Sequence, residues 1–588
     1  MKVFNYSDGD EEENYLISLF TNANNLATGS QELAAGIRDW SSLYHLSPMR
    51  ANLIRPFATA LAGKSVLEIG SGCGAITRFL GESGCNVLAL EGSERRSRIT
   101  ALRCTDLPGV QVVNKSFDEF HTDEKFEVIT LVGVLEYSNL FVNGTSAPFE
   151  MLRRIKEMLL PGGRLLIAIE NKIGLKYWAG APEDHIGKPY FGIEGRYDHS
   201  TVVTFGKTEL KEMLLSAGYT NTEFLYPFPD YKLPDTILTE KAFEVEGFNP
   251  LSLLHEKYIH EKDRSYDLHF SSSLVANSLY QNKLLQDLSN SFLVVASPTD
   301  IAAMVEPSQI AFTYTSFRQK PYCKENIFVH SGPGNITVMR NKLYPDLRSE
   351  GAPIYHRLEN EPFFFGRLLA MEATDLVSRE GWTVEELAPW ARQYYDILKG
   401  HALATDTTPS APGDMVIPGA YLDLTPFNII IDKEGEPTIF DQEWYCKEDI
   451  PLYFILFRGI VYTLDKISFY ALPAEGTPEN LIALVSKLIN LIFPFSPLHI
   501  ENCRELEVKY FSWVTLLPGK AFPHGNFKVR QNTGTSVIDQ LRKEQESKTE
   551  KIEQLEKYIQ WYRETYEERS FSGVIRDRLG KVIRKKHN

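Results

Sequence analysis

The feature that most limits how this 588-residue chain can fold is Val66-Leu-Glu-Ile-Gly-Ser-Gly-Cys-Gly74, an apolar strand running into three glycines at alternate positions. Glycines there let the backbone approach a ligand closely and swing directly into a helix. From about residue 40 to 245, apolar strand-like runs alternate with amphipathic helical runs, the pattern of a parallel α/β sheet. At roughly 150 residues per domain, the length predicts about four folding units. Hydrophobic residues make up 43% and charged residues 24%, which excludes wholesale disorder and fibrous repeats.

Carboxylates punctuate the strand ends. Glu68 precedes the glycines, and the second strand, Cys85-Asn-Val-Leu-Ala-Leu90, ends in Glu91, a position suited to a ribose diol. The third strand, Val110 to Asn114, leads into Ser116-Phe117-Asp118, where a ring and a carboxylate would hold an adenine. The fourth, Phe126 to Val134, ends at Leu135-Glu136-Tyr137, and Leu159-Leu-Pro-Gly-Gly163 then opens the strand Arg164 to Ile169. Alone, Gly70-x-Gly72-x-x-Ala75 would also pass as a dinucleotide fingerprint. The ordered ladder resembles the class I S-adenosylmethionine (SAM)-dependent methyltransferases, with their E-x-G-x-G-x-G loop and L-x-P-G-G turn. That resemblance implies that Glu68, Gly70, Ser71, Gly72 and Gly74 line the methionine part of the cofactor. It places Glu91 on the ribose, Phe117 and Asp118 at the adenine, and Gly133 to Leu135 on the pocket floor. The plain alternative makes Glu68 and Glu91 surface carboxylates at strand ends.

Upstream, Tyr44-His-Leu-Ser-Pro-Met-Arg50 resembles an N-terminal lid of methyltransferases encoded with polysaccharide glycosyltransferases. In that reading Tyr44 and Arg50 cover the cofactor, with Arg50 pairing to its carboxylate; otherwise the segment is a helix start with a solvated arginine. Downstream, Glu170-Asn-Lys-Ile-Gly-Leu-Lys-Tyr-Trp to Glu183-Asp184-His185 lies where an open α/β sheet binds its second substrate. Methyl transfer to oxygen needs an in-line hydroxyl and a base. His185, with Asp184 or Glu183 beside it, is the candidate base. Tyr226-Pro-Phe-Pro-Asp-Tyr231 reads as a further rim of the pocket or as a proline-fixed loop.

The second half carries another pattern. Asp423 and Asn428 stand five residues apart at the start of an apolar strand, and Thr438-Ile-Phe-Asp441 ends a second one. Lys433-Glu-Gly-Glu436 between them reads as a hairpin turn. This spacing resembles the catalytic loop and metal site of the kinase-like and aminoglycoside-phosphotransferase superfamily. It implies Asp423 as acceptor of a substrate hydroxyl proton, with Asn428 and Asp441 holding Mg²⁺ on the phosphates of ATP. Either Arg340 or Lys342, on one strand face, would pair the phosphates, with Glu359 or Glu361 as a helix-borne partner. The usual His-Arg before the aspartate is Tyr421-Leu422, the DFG turn is Asp441-Gln-Glu, and Ser331-Gly-Pro-Gly334 is a poor phosphate loop. A degenerate structural domain is the alternative.

Beyond residue 535 a heptad seam runs through Ile538, Leu541, Gln545, Lys548, Ile552, Leu555, Ile559, Tyr562 and Tyr566. It predicts a homo-oligomeric coiled coil, or else a solvated helix. From Arg569 to Asn588 seven basic residues face one aspartate, beside Phe571, Val574, Ile575, Leu579, Val582 and Ile583 at helical spacing. This is an amphipathic helix for an anionic membrane surface or a partner.

The expected organisation is an N-terminal helical extension (1–39), an α/β Rossmann-like SAM-dependent methyltransferase domain (40–245) and a helical linker (246–289). A kinase-like α+β domain (290–528), a coiled coil (536–568) and a basic amphipathic tail (569–588) follow. With 62 basic and 77 acidic residues the net charge is −15, against bulk nucleic-acid binding. Six cysteines without a CxxC pair predict a reducing compartment. Met1 to Asn14 lacks a signal pattern, and Leu481 to Phe495 is too broken to span a bilayer, so a cytoplasmic chain is expected, peripheral at most on the inner face of the membrane. The combination resembles bifunctional enzymes that methylate and phosphorylate the growing end of bacterial surface polysaccharide (O-antigen). It implies a lipid-linked glycan substrate and a glycosyltransferase partner. The rival expectation is a methyltransferase for a small metabolite or protein, carrying a non-catalytic interaction scaffold.

Overall fold

The computed structural model describes residues 9–142, 146–259, 266, 268–299, 303–403, 415–517, 525, 527, 536–563 and 571–584. Residues 1–530 form one compact unit and 531–588 a second.

The first unit is organised by a twelve-stranded sheet. In chain order its strands are β1 Ser65–Ile69, β2 Asn86–Glu91, β3 Val110–Asn114, β4 Phe126–Val132, β5 Leu159–Glu170, β6 Asn221–Phe228, β7 Thr236–Thr239, β8 Ser291–Ser297, β9 Gln309–Thr315, β10 Lys324–Gly332 and β11 Asn335–Lys342, with a short edge strand, Glu361–Pro362. Their spatial order is β3-β2-β1-β4-β5-β8-β6-β7-β9-β10-β11 and then the edge strand. The pairs β1–β2, β1–β4, β2–β3 and β4–β5 are parallel. Helices cover both faces of a parallel sheet, so Val66, Leu67, Ile69, Ile129 and Leu131 are buried whichever way they point.

The sheet does not close at residue 245. β8 lies antiparallel between β5 and β6, with Ile167 opposite Val294 and Phe224 opposite Val294 on the other side. The strand that completes the methyltransferase-like sheet thus comes from the stretch expected to open the second domain. Residues 229–290 are an excursion between two neighbouring strands. β7, inside that excursion, pairs with β6 and β9 and joins the sheet to β9–β11.

Within residues 1–39 lie helices Asp10–Asn22 and Gln31–Ala35, and Trp40–Leu46 follows at the start of the next expected domain. The first packs on helix Glu94–Arg103, where buried Arg96 meets buried Glu13 at 3.0 Å. Ser93 caps that second helix by accepting the amide of Arg96.

Past the sheet the chain turns helical, with Leu369–Val377, Val384–Gly400, Leu452–Lys466, Leu481–Asn490 and Pro497–Phe511. Leu452–Lys466 is fully enclosed from Phe454 to Phe457 and carries its less buried stripe at Arg458, Tyr462, Asp465 and Lys466, so its apolar side forms the centre of this part. The hairpin expected around Lys433–Glu436 is present: Ile429–Ile431 pairs antiparallel with Pro437–Ile439. All six cysteines are buried thiols. Among the described residues no helix is long and apolar enough to cross a membrane.

In the second unit, Ser536–Tyr562 and Phe571–Arg584 are helices. Ile552, Leu555, Ile559 and Tyr562 of the heptad seam are exposed, as are Val574, Ile575, Leu579, Val582 and Ile583. The side chains of Ile538, Leu541 and Phe571, together with Tyr566 and residues 585–588, lie outside the described residues.

Candidate active site

The glycine loop leaves β1 with positive φ at all three glycines: 76° at Gly70, 55° at Gly72 and 76° at Gly74. A Cβ on Gly70 would lie 2.5 Å from Val134 Cγ2, whereas one on Gly72 would meet nothing within 4 Å. The loop therefore needs glycine at Gly70 to pass the neighbouring strand end, and at Gly72 to keep open space beside the backbone. Gly74 then starts helix Ala75–Glu82, packed against Thr100.

A pocket opens over this loop, lined by Gly70, Gly72, Glu91, Phe117, Gly133 and Tyr137 among others. Glu91 is held from two sides: its Oε2 accepts the Gly72 amide at 2.8 Å and its Oε1 the Ser93 amide at 2.9 Å. Burial raises its pKa, against the pull of those two amides. Glu68 is buried beneath the loop, and burial pushes its pKa up to about 8. Its Oε2 is enclosed without a hydrogen-bond partner. Ser71 is buried, 3.4 Å from Thr100 Oγ1.

Arg50 is not solvated. It is buried, its Nη1 donates to the carbonyls of Tyr231 and Lys232 at 3.0 Å, and its guanidinium stands 4.5 Å from the Tyr44 ring centroid. Asp118 does not line the pocket. Arg154, on helix Ala147–Glu157, draws its carboxylate away at 3.1 Å while stacking on Phe117 at 4.3 Å. Phe117 remains as a pocket wall.

Next to this pocket, at the carboxyl ends of β4 and β5, a second group of side chains converges. Glu136 sits on the turn Leu135–Tyr137 after β4, and Glu170 is the last residue of β5. His185 comes in from the following loop, with Nε2 3.8 Å from Glu136 Oε1 and 4.0 Å from Glu170 Oε2. Its Nδ1 faces Glu183 Oε1 at 3.0 Å. Glu183 accepts the amides of His185 and Ile186 and the hydroxyl of Tyr197, so the loop grips its own carboxylate. Of the two expected companions of His185, Glu183 is therefore the one in contact. Asp184 turns instead to Lys176 at 2.6 Å, Tyr177 at 2.6 Å and Lys232 at 3.5 Å.

Burial alone would lower the pKa of His185. The carboxylates of Glu170, Glu183 and Glu136 outweigh it and raise the pKa to about 9. That direction favours the imidazolium, which does not suit the part of resting base expected of His185. Glu136 is pushed up to about 8 by burial and by Glu170.

The sequence alone gives Glu136, Glu170, Lys176 and Lys232 no individual part in this site. The available signal was position: both glutamates follow apolar strands at the sheet end where Glu91 also lies. Lys232 and Asp230 arrive on the 229–290 excursion.

The second expected site lies at a cleft of about 390 Å³ between β9–β11 and the helical part, lined by Asn428 and Asp441 but not by Asp423. Asn428 Nδ2 donates to the carbonyls of Asp423 and Asp441 at 2.9 and 3.2 Å, tying the three expected residues together. Asp423 is buried, and burial followed by Glu443 lifts its pKa well above the usual carboxylate range. Of the two candidate bases, Arg340 reaches the site, with Nε 2.9 Å from Asp441 Oδ1 and a bond to Glu361. Lys342 is not among the cleft-lining residues. Lys324, missed in the sequence, takes the central place: its Nζ lies 2.9 and 3.1 Å from the two Asp441 oxygens and 2.9 Å from Glu443. It stands directly opposite Lys342 in the β10–β11 pairing. Glu361 lies on the short edge strand and not on a helix, while Glu359 offers only its carbonyl to Arg340.

Residues 44–223 match the family model described as a methyltransferase domain. The domain is a SAM-dependent methyltransferase. Its class I, Rossmann-like sheet is completed by β8, outside the matched span. Among curated relatives of this methyltransferase is the ubiquinone biosynthesis O-methyltransferase of Aliivibrio fischeri, 22% identical over 218 residues, covering 36% of this chain and 80% of the relative. The protein of that name from Pasteurella multocida is 28% identical over 153 residues, covering 24% of this chain and 60% of the relative. Among solved structures, the CcbJ methyltransferase from Streptomyces caelestis is 14% identical, covers 47% of this chain and 100% of that one, and gives a TM-score of 0.27. The open space beside Gly72 and the unpartnered buried oxygen of Glu68 fit the methyltransferase's SAM cofactor.

Proposed function

We propose that the methyltransferase domain transfers a methyl group to a sugar hydroxyl at the growing end of a bacterial surface polysaccharide, and that the second cleft phosphorylates the same glycan end. The observation that carries the methyl half is the polar enclosure beside the cofactor pocket. Glu136, Glu170, Asp184, Lys176 and Lys232 offer the charged acceptors and donors that a hydroxyl-rich ring bonds to, whereas an apolar ring would strip water from these groups and give no hydrogen bond in return. The relatives named above are O-methyltransferases, which supports oxygen as the acceptor atom.

In this reading Glu91 bonds the ribose hydroxyls, Phe117 packs on the adenine, and Gly70 to Gly74 and Glu68 enclose the methionine part. Tyr44 and Arg50 close the pocket from above. When bound, SAM supplies an electrophilic methyl on a positively charged sulfur. The acceptor hydroxyl is held in line by the charged cluster, and its proton leaves past that cluster to water.

For the second cleft, Asp423 takes the proton of the phosphate acceptor, Asn428 and Asp441 hold Mg²⁺, and Lys324 and Arg340 pair the phosphates of ATP. The hold of Asn428 on the Asp423 and Asp441 backbones supports this arrangement. One observation favours a non-catalytic scaffold instead: Asp441 is already neutralised by Lys324 and Arg340, which a metal ion would have to displace. The exposed seam of Ser536–Tyr562 pairs with another copy, and the exposed apolar face of Phe571–Arg584 rests on the inner face of the cytoplasmic membrane, near the glycosyltransferase that extends the glycan.

The deciding experiment supplies methyl-labelled SAM and gamma-labelled ATP to purified lipid-linked glycan. Both labels are expected on the glycan, the methyl label lost in Glu91→Gln and the phosphate label in Asp423→Asn. Neither label on the glycan sinks the polysaccharide reading, and methyl label alone leaves the second half as a scaffold.

A further inference from the structure

We propose that Glu136, Glu170 and His185 bind one divalent cation that holds the acceptor hydroxyl beside the cofactor pocket, a proposal resting on the oxygen-methylation reading above. One ligand atom from each of the three lies within 4.8 Å of the others. Both glutamates are 0% exposed, and Oε2 of each is sealed from water without a hydrogen-bond partner. A buried carboxylate oxygen left in that state is costly, and a cation is the partner that satisfies two of them at once.

The imidazole is oriented for the task. Nδ1 is taken by Glu183 at 3.0 Å, so the nitrogen left to a cation, in exchange for its proton, is Nε2, which faces the two glutamates. A carboxylate behind a histidine is the usual support of a metal-ligating imidazole, fixing ring orientation and tautomer. Here that support is itself held by two amides and the Tyr197 hydroxyl. The local charge also fits. Glu136, Glu170, Glu183, Asp184 and Asp230 gather here with two paired lysines, Lys176 and Lys232.

Position connects the cation to the chemistry. Glu136 follows, and Glu170 ends, neighbouring parallel strands. Gly133 lines the cofactor pocket, and a Cβ on it would lie 3.6 Å from Glu136 Oε1. Three protein ligands leave coordination positions open, as in metal sites that receive a substrate. The hydroxyl held there gives its proton to water, and its oxygen bonds the methyl carbon as the carbon–sulfur bond breaks with its electron pair left on sulfur. One imidazole with two carboxylates suits Mn²⁺ or Zn²⁺ better than a thiolate-seeking metal.

Mn²⁺ titrated into the EDTA-stripped full chain and followed by electron paramagnetic resonance tests this. We expect one bound Mn²⁺ per chain with pulsed-resonance coupling to an imidazole nitrogen. Both should be lost in His185→Gln, with affinity down about 10- to 100-fold in Glu183→Gln. Glu136→Gln and Glu170→Gln should also lose the ion while still binding S-adenosylhomocysteine by calorimetry, which shows that they fold. No bound Mn²⁺ in wild type, no nitrogen coupling, or loss that follows Asp441→Asn overturns the proposal. Glycan methylation undiminished in EDTA removes the cation and leaves the oxygen-methylation reading. Mn²⁺ bound through His185 with methyl label landing on nitrogen removes that reading and leaves the cation site.

Discussion

At Glu91 one carboxylate both braces the glycine loop and faces the cofactor pocket. Charge-assisted bonds contribute about 1.5–3 kcal/mol each, so Glu91→Gln should weaken S-adenosylhomocysteine binding by about 10- to 100-fold by calorimetry. Unchanged affinity would remove Glu91 from the ribose. Glu68 makes a pH prediction. Its folded pKa is about 8 against an ordinary 4.5, so between those values the folded chain keeps a proton that the unfolded chain releases. That stabilisation is complete below pH 4.5 and is lost as pH rises through 8. The slope is at most about 1.4 kcal/mol per pH unit. The melting temperature of ligand-free Glu68→Gln should therefore fall less than that of wild type between pH 6 and pH 8, a window inside that interval; parallel declines would contradict the burial of this carboxyl. At Gly70, φ of 76° and a Cβ contact of 2.5 Å with Val134 make Gly70→Ala costly. The backbone strain alone is about 1–3 kcal/mol. Adding Val134→Ala should restore part of the lost melting temperature, since it relieves the clash and not the φ.

Among the elements, β8 has the largest consequence. Leu293 and Val294 are fully buried between β5 and β6. A chain ending at residue 245 lacks this strand and leaves two apolar edges bare, so it should go to the insoluble fraction on expression and the full chain to the soluble one. A soluble, SAM-binding fragment 40–245 would show that β8 is dispensable. On helix Ser536–Tyr562, replacing exposed Ile552, Leu555 and Ile559 by serine should convert an oligomer to a monomer in sedimentation equilibrium, with the melting temperature of residues 1–530 unchanged. A wild-type monomer would dispose of the coiled coil. The glycine loop, the alternating strands and the Lys433–Glu436 hairpin were legible because each is dictated by residues within one turn or strand. Which strand fills the gap between β5 and β6 was not, since Ser-Phe-Leu-Val-Val-Ala-Ser reads as an apolar strand wherever it pairs.

For the whole molecule, the methyltransferase site and the Asp441 cleft lie in one compact unit joined by a single sheet, yet their side chains come from different strands. Local sequence determined the glycine loop, the Glu91 strand end, the Asp423–Asn428 spacing and the heptad seam, because the physics behind each is short-range: φ preference, side-chain periodicity and turn geometry. Tertiary structure alone decided that Glu136 and Glu170 meet His185, that Asp184 faces Lys176 while Glu183 serves the imidazole, and that Lys324 reaches Asp441. Those groups stand far apart along the chain or, within one loop, point in opposite directions. Only the order in which strands lie side by side, and the packing of the 229–290 excursion over their ends, sets which charges share a buried space.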